Sequence, residues 1–187
     1  WFHIDGAFGA LAKLVPEFQP ALAAIEKADS VAFDLHKWMY VPYEVGCLLV
    51  KDREAHRNAF ALQPNYLLSH ERGLAAGPDP ITNWGFELSR GFKALKVWMS
   101  FKEHGIEKFA RMIRQNIAQA LYLEHLVKQN AQLELLAPVT MNVVCFRYLP
   151  NQSKEADLNA LNKEILMRLH EEGVAAPSYA ILDGRYA

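Results

Sequence analysis

Cysteine is scarce: two in 187 residues, each inside an apolar run, Gly46-Cys-Leu-Leu-Val50 and Val143-Val-Cys-Phe146. A disulfide-stapled scaffold is therefore excluded, and a single bridge is the weaker reading. Free buried thiols fit a reducing cytosol, so a cytoplasmic protein is expected. No apolar run approaches the length of a membrane span, and no secretory signal is visible behind Trp1. Charge of either sign is not in excess: the net charge is −1 and the pI about 6.7. That gives no electrostatic case for nucleic acid or an anionic membrane. The seven histidines show no paired spacing on one helix face, so no metal site is expected. Gly6-x-x-Gly9 lacks the lysine and hydroxyl of a phosphate loop, and no G-x-S-x-G element occurs.

What is present is apolar sequence in short blocks, 51% hydrophobic by count. That suffices for one core or parts of two. Trp1–Ile4, Val31–Phe33 and Gly46–Val50 read as strands, the last as an antiparallel neighbour of the second. Pro20 opens an expected helix to about Lys27, and Asp52 caps another to Phe60. Residues 63–82 hold three prolines, two glycines and no period, which reads as a lid or a disordered excursion. Two helices then follow, one with Phe92, Leu95, Lys96 and Met99 on one face. The other carries Ile106, Phe109, Ile113, Ile117 and Leu121, and Gly105 separates the two. Arg90, Lys93 and Lys96 read as a solvated basic face. Leu133–Leu136, Val143–Tyr148 and Val174–Pro177 read as strands around a helix over Asp157–Glu172 that ends at Gly173. This β-β-α-β order suggests a small α+β domain. Both ends interrupt a pattern, with a further strand expected after the Asp183-Gly184 turn, so the chain reads as an internal fragment.

Two residues carry the chemistry. Lys37 lies in Val31-Ala-Phe-Asp-Leu-His-Lys-Trp38, read as a loop lysine with apolar and aromatic neighbours. Partial burial there disfavours the ammonium form that an attacking amine must shed. The other reading is a solvated lysine beside a core tryptophan, and local sequence alone favours it. Asp5 closes the apolar strand before Gly6 and Ala7, and is expected to be buried. A carboxylate there is costly without a cation, although strand-end aspartates also serve as turn caps. An amine and an anion are what pyridoxal 5′-phosphate (PLP) requires: one to hold it as a Schiff base, the other to keep its pyridine nitrogen protonated.

Four segments occur in order: His3-Ile-Asp-Gly-Ala7, Ala28-Asp-Ser-Val-Ala-Phe-Asp-Leu-His-Lys-Trp38, Gln63-Pro-Asn-Tyr-Leu67 and Leu88-Ser-Arg-Gly-Phe-Lys-Ala-Leu-Lys-Val-Trp98. Together they resemble the group II PLP-dependent decarboxylases of aromatic amino acids, histidine and glutamate, and weaker similarity continues through Val143–Tyr148. The resemblance implies that Lys37 is the Schiff-base lysine and His36 the histidine near the cofactor phosphate. Asp5 would hold the pyridine nitrogen and Ala7 pack on the ring. Tyr66 matches a tyrosine of the family's mobile loop that helps protonate the substrate carbon. Relatives with phenylalanine there tend toward aldehyde formation. Ser89 and Arg90 match a stretch near the substrate pocket; their alternative is a helix-start serine and a surface arginine. Tyr66 alone reads as an exposed loop aromatic. Asp34 departs from the pattern, standing where many members bind phosphate with asparagine.

The implied fold is α/β, the aspartate-aminotransferase-like type I PLP fold. Residues 1–100 would be the later part of the cofactor-binding large domain, with mobile loop 63–82. Residues 101–187 would be a connecting helix and most of the small α+β C-terminal domain. The implied function is decarboxylation of an L-amino acid to amine and carbon dioxide by a homodimer with sites at its interface, Tyr66 reaching a neighbour's site. The fragment alone is expected to bind PLP poorly. Two alternatives stay open: another PLP reaction such as carbon–carbon lysis or aldehyde synthesis, and a non-catalytic relative acting as a binding partner. The second would be expected to lose Lys37 or Asp5, and both are present.

Overall fold

The computed structural model describes residues 1–61, 70, 72–73, 76–77, 80–150 and 154–187. It divides into two compact units, Trp1–Ile113 and Arg114–Ala187.

The first unit is built on a three-stranded sheet in the order β1 (His3–Asp5), β2 (Ser30–Asp34), β3 (Gly46–Val50). β1 and β2 run parallel, with Asp5 opposite Ala32; β2 and β3 run antiparallel, with Asp34 opposite Gly46. The antiparallel neighbour is as the sequence predicts. A parallel pair needs a long crossover, which residues 6–29 supply as three short 3-10 turns, Gly9–Leu14, Pro16–Phe18 and Ala23–Lys27. The helix expected from Pro20 is replaced by the last of these. Its amides bond three residues back, Ala23 to Pro20 and Ile25 to Leu22. So short a segment, turning at once into β2, does not sustain an α-helix on propensity alone.

Gly6 lets the crossover lie flat on the sheet. A Cβ there would stand 2.4 Å from the Ala10 Cβ and 3.1 Å from the Ala32 carbonyl oxygen. Leu11, Ala12, Val15, Val31, Leu35, Trp38, Met39, Val41 and Val45 are buried in this unit. A single helical turn, α1 (Leu35–Trp38), leaves the end of β2, and α2 (Arg53–Phe60) follows β3. Asp52 caps α2 as expected, its Oδ1 accepting the Ala55 N–H at 2.9 Å.

The helices α3 (Lys93–His104) and α4 (Ile106–Gln129) flank Gly105, whose φ of 71° ends α3 in the left-handed region. On α4 the stripe Phe109, Ile113, Ile117, Ala120 and Val127 is buried at helical spacing. The expected apolar face of α3 is largely exposed, Phe92, Leu95 and Met99 included. The basic face stays solvent-accessible, as expected, and also makes contacts within the unit. Lys93 pairs with Glu44 at 2.7 Å, and the Lys96 amine donates to the Pro42 carbonyl at 2.8 Å.

In the second unit β4 (Leu133–Leu135) and β5 (Phe146–Tyr148) pair antiparallel, α5 (Glu155–Glu171) follows, and β6 (Ile181–Leu182) and β7 (Arg185–Tyr186) form a hairpin. Its two turn residues, Asp183 and Gly184, have φ of 50° and 78°, as a tight Asp-Gly turn requires. The strand expected over Val174–Pro177 does not form. The amides of Val174 and Ala175 turn back to the Leu169 carbonyl and close α5 beyond Gly173. Two buried polar residues tie β5 to α5. Arg147 Nε donates to Glu134 at 2.8 Å while its other nitrogens meet Glu155. Asn162 brackets the Tyr148 backbone, accepting its N–H at 2.7 Å and donating to its carbonyl at 2.9 Å. Among the described residues no helix is long and apolar enough to cross a membrane. Cys47 and Cys145 are free and only half-buried, rather than buried as expected. Burial raises the Cys47 thiol pKa.

Candidate active site

Four of the residues singled out in the sequence, Asp5, Ala7, His36 and Lys37, lie at the carboxyl ends of β1 and β2. In α/β sheets that edge is where ligands bind, because the loops leaving parallel strands open there. Asp5 is the last residue of β1. Gly6 donates its N–H to the Ala32 carbonyl at 2.8 Å and Asp34 donates its N–H to the Ala7 carbonyl at 2.6 Å. These two bonds lock the segment after Asp5 to the segment before Lys37. Trp38, buried at 5% exposure, packs edge-on against Phe8 at 5.0 Å between ring centroids and anchors α1 on the same segment.

Lys37 is in α1, not a loop. The helical turn forms because the Val45 carbonyl takes the Leu35 and His36 amides at 2.9 and 3.4 Å, a cap supplied by a residue distant in sequence. The expected partial burial of Lys37 among aromatic neighbours is not found: its side chain is 44% exposed and its Nζ lies 2.9 Å from Asp34 Oδ2. The Lys37 amine beside it holds the Asp34 carboxyl below the usual carboxylate range, by hydrogen bonding first.

His36 is held by the same connection. Its Nδ1 stands 2.9 Å from both the N–H and the carbonyl of Val45, so either tautomer finds a partner there. Its ring meets Tyr43 edge-on at 4.7 Å, and its Nε2 lies 3.9 Å from Asp34 Oδ2. The imidazole is thereby fixed in orientation without its proton being fixed.

Asp5 is exposed rather than buried, and no described residue covers the end of β1. Its Oδ1 accepts the Ala7 N–H at 3.1 Å, the turn-capping bond open to any strand-end aspartate. Ala7, half-buried, presents only a methyl group beside it. Ser89 and Arg90 are exposed in the irregular segment before α3, so Ser89 does not start a helix. Arg90 turns back on its own segment, donating to the Glu87 carbonyl at 2.9 Å. Tyr66, with most of 63–82, lies outside the described residues.

The features missed in the sequence are the Asp34–Lys37 pair and the Val45 cap. The three-residue spacing of aspartate and lysine signalled the first; nothing local signals the second. As a donor set the site suits PLP: an accessible primary amine, an imidazole and a carboxylate share one strand edge. Among the described residues no cation is paired with Asp5.

Residues 1–149 match the pyridoxal-dependent decarboxylase conserved domain. An aromatic-L-amino-acid decarboxylase of Bacillus atrophaeus is 35% identical over 94% of this chain and 36% of its own length. A phenylacetaldehyde synthase of Arabidopsis thaliana is 31% identical over 99% of this chain and 38% of its own. An Oryza sativa TDC solved with PLP and tryptamine superposes with a TM-score of 0.89 at 29% identity, over 100% of this chain and 39% of that one. The chain thus spans between a third and two-fifths of the length of such relatives, and its fold is that of the type I PLP-dependent enzymes. With its lysine, histidine and aspartate set on one strand edge, the chain belongs to the pyridoxal-dependent decarboxylase family.

Proposed function

We propose that the intact protein is a PLP-dependent carboxy-lyase that converts an L-amino acid of the aromatic class to its amine and carbon dioxide. The observation that carries this is the placement of Lys37 and Asp5 at the carboxyl ends of two parallel, adjacent strands, in a chain of this family. The aromatic class is supported by what the Bacillus relative is named for and by the tryptamine in the rice structure.

Lys37 would hold the cofactor through its amine, Asp5 its ring nitrogen, His36 its phosphate side, and Ala7 one face of its ring. Bound there, PLP supplies an electron sink for the pair left when a carboxyl group departs. Asp5 serves that sink by keeping a positive charge on the ring nitrogen, which an adjacent carboxylate favours. The Gly6 and Asp34 backbone bonds keep Asp5 and Lys37 in fixed register, so the chain contributes orientation as well as charge. Tyr66 is assigned to deliver a proton from its hydroxyl to the substrate α-carbon, with its loop excluding water. Ser89 and Arg90 are assigned to the substrate; to meet a carboxylate, Arg90 has to leave the Glu87 carbonyl.

Homodimeric assembly in the cytoplasm completes the reading. The two free thiols support the compartment. Aldehyde formation from the same substrates is the second reading, favoured by the Arabidopsis relative.

The test uses the intact protein with PLP and a panel of aromatic, acidic, basic and small L-amino acids, recording carbon dioxide, amine and aldehyde together. Equal carbon dioxide and amine from aromatic substrates, lost in Lys37→Ala, is the expected result. Aldehyde in place of amine selects the second reading, and no carbon dioxide from any substrate rejects both.

A further inference from the structure

We propose that Asp34 is the resting partner of Lys37: it holds the side-chain amine whenever that amine is not bonded to the cofactor. The inference rests on the assignment of Lys37 above and adds a positioning residue to it. Asp34 is the residue before α1, where an aspartate ordinarily turns its carboxylate onto the first amides of the helix. Here it makes no such bond. The Val45 carbonyl has taken those amides, so the carboxylate is free, and three-residue spacing brings Lys37 Nζ to 2.9 Å from Oδ2. The backbone beneath the carboxylate is fixed, because the Asp34 N–H is held on the Ala7 carbonyl at 2.6 Å. The His36 ring is also near, its Nε2 lying 3.9 Å from the same Oδ2.

The consequence is a competition. When an aldehyde couples to Lys37, the amine gives up its ammonium proton to solvent, a C=N bond forms, and the aldehyde oxygen leaves as water. The ion pair must break for this to happen. Conversely, a substrate amine that displaces Lys37 releases it within reach of a carboxylate one helical turn away. Asp34 thus tethers the lysine beside the site in the free form, and its own charge is neutralised while it does so.

The experiment uses cofactor-free intact protein. Acetylation of Lys37 by acetic anhydride is followed by mass spectrometry at near-neutral pH, with Lys51 as reference in the same digest. Asp34→Asn is expected to raise Lys37 labelling about two- to five-fold at low salt, the scale of a part-exposed ion pair. Asp34→Glu is expected to restore part of the protection. Labelling of the unsubstituted protein should rise with ionic strength and that of Asp34→Asn should not. Equal labelling in all three forms, without salt dependence, overturns the proposal. A second measurement compares binding of PLP and of pyridoxal. Asp34→Asn should tighten both by a similar factor, because both compete with the pair. Tightening of PLP alone would mean repulsion of the phosphate instead, and overturns it too. Borohydride reduction that leaves no cofactor on Lys37 in the unsubstituted protein removes the functional assignment. The labelling result then still decides whether Asp34 holds the amine.

Discussion

Asn162→Asp isolates one buried hydrogen-bond set, because it changes a single atom's role. In the native side chain Oδ1 accepts the Tyr148 N–H, and Nδ2 donates to both the Tyr148 and Leu158 carbonyls at 2.9 Å. The residue is 8% exposed. An aspartate of the same shape keeps the first bond. Its second oxygen, however, faces two carbonyl oxygens with nothing to donate unless it is protonated. Two lost bonds at about 1 kcal/mol each, plus the cost of setting a buried oxygen against two others, give about 2–4 kcal/mol at neutral pH. The sign with pH follows from the proton. The neutral acid is the form the fold accepts, so burial raises the folded-state pKa of the new carboxyl above its unfolded value. The penalty is therefore full above the folded pKa and shrinks as pH falls toward the ordinary aspartate value. Hydrogen exchange of the intact protein, read at the peptide containing Tyr148, measures this without assuming two-state unfolding of both units. A loss of protection of about 30-fold or more is expected at pH 7, and a smaller loss at pH 5 after correction for intrinsic exchange. Equal protection in the two proteins at pH 7, or a loss that grows on acidification, would refute the reasoning.

Three further outcomes follow from the packing and the charges. Gly6→Ala should destabilise the first unit by about 1–3 kcal/mol, since its methyl group meets the Ala10 Cβ at 2.4 Å; hydrogen exchange at β1 and β2 reads it. Asp52→Ala should cost about 1 kcal/mol and fray α2 from its first turn, visible as faster exchange of the Ala55 amide. Arg147→Ala should destabilise the second unit and flatten its acid sensitivity. The Arg147 guanidinium holds the Glu155 carboxyl below its ordinary value of 4.5. A depressed carboxylate stabilises the fold above that value, and the contribution is lost as pH falls through the folded value beneath it. Protection of the β4–β5 pair measured from pH 7 to pH 3 should show this fall in the native protein and less of it in the variant.

Part of the site was legible because each of its residues is marked by its own local sequence. Asp5, His36 and Lys37 each stand at the end of a short apolar run, and strand-end position follows from such runs directly. Asp52, Gly105, Gly173 and the Asp183-Gly184 turn were readable for a similar reason: each does its work within a few residues. What could not be read depended on partners far along the chain. The helical turn carrying Lys37 exists because Val45 caps it. Asp34 pairs with Lys37 because that same cap leaves its carboxylate free. Val174–Pro177 has the composition of a strand, yet its first amides are taken by the end of α5. Asn162 looks like an ordinary polar position on an amphipathic helix, and only the adjacent β5 backbone explains why it is buried.

The most direct test of the central assignment is to load the intact protein with PLP, reduce it with borohydride, and map the modified peptide. The expected result is one cofactor-mass adduct on Lys37, absent in Lys37→Ala. An adduct confined to another lysine, or none, would contradict it.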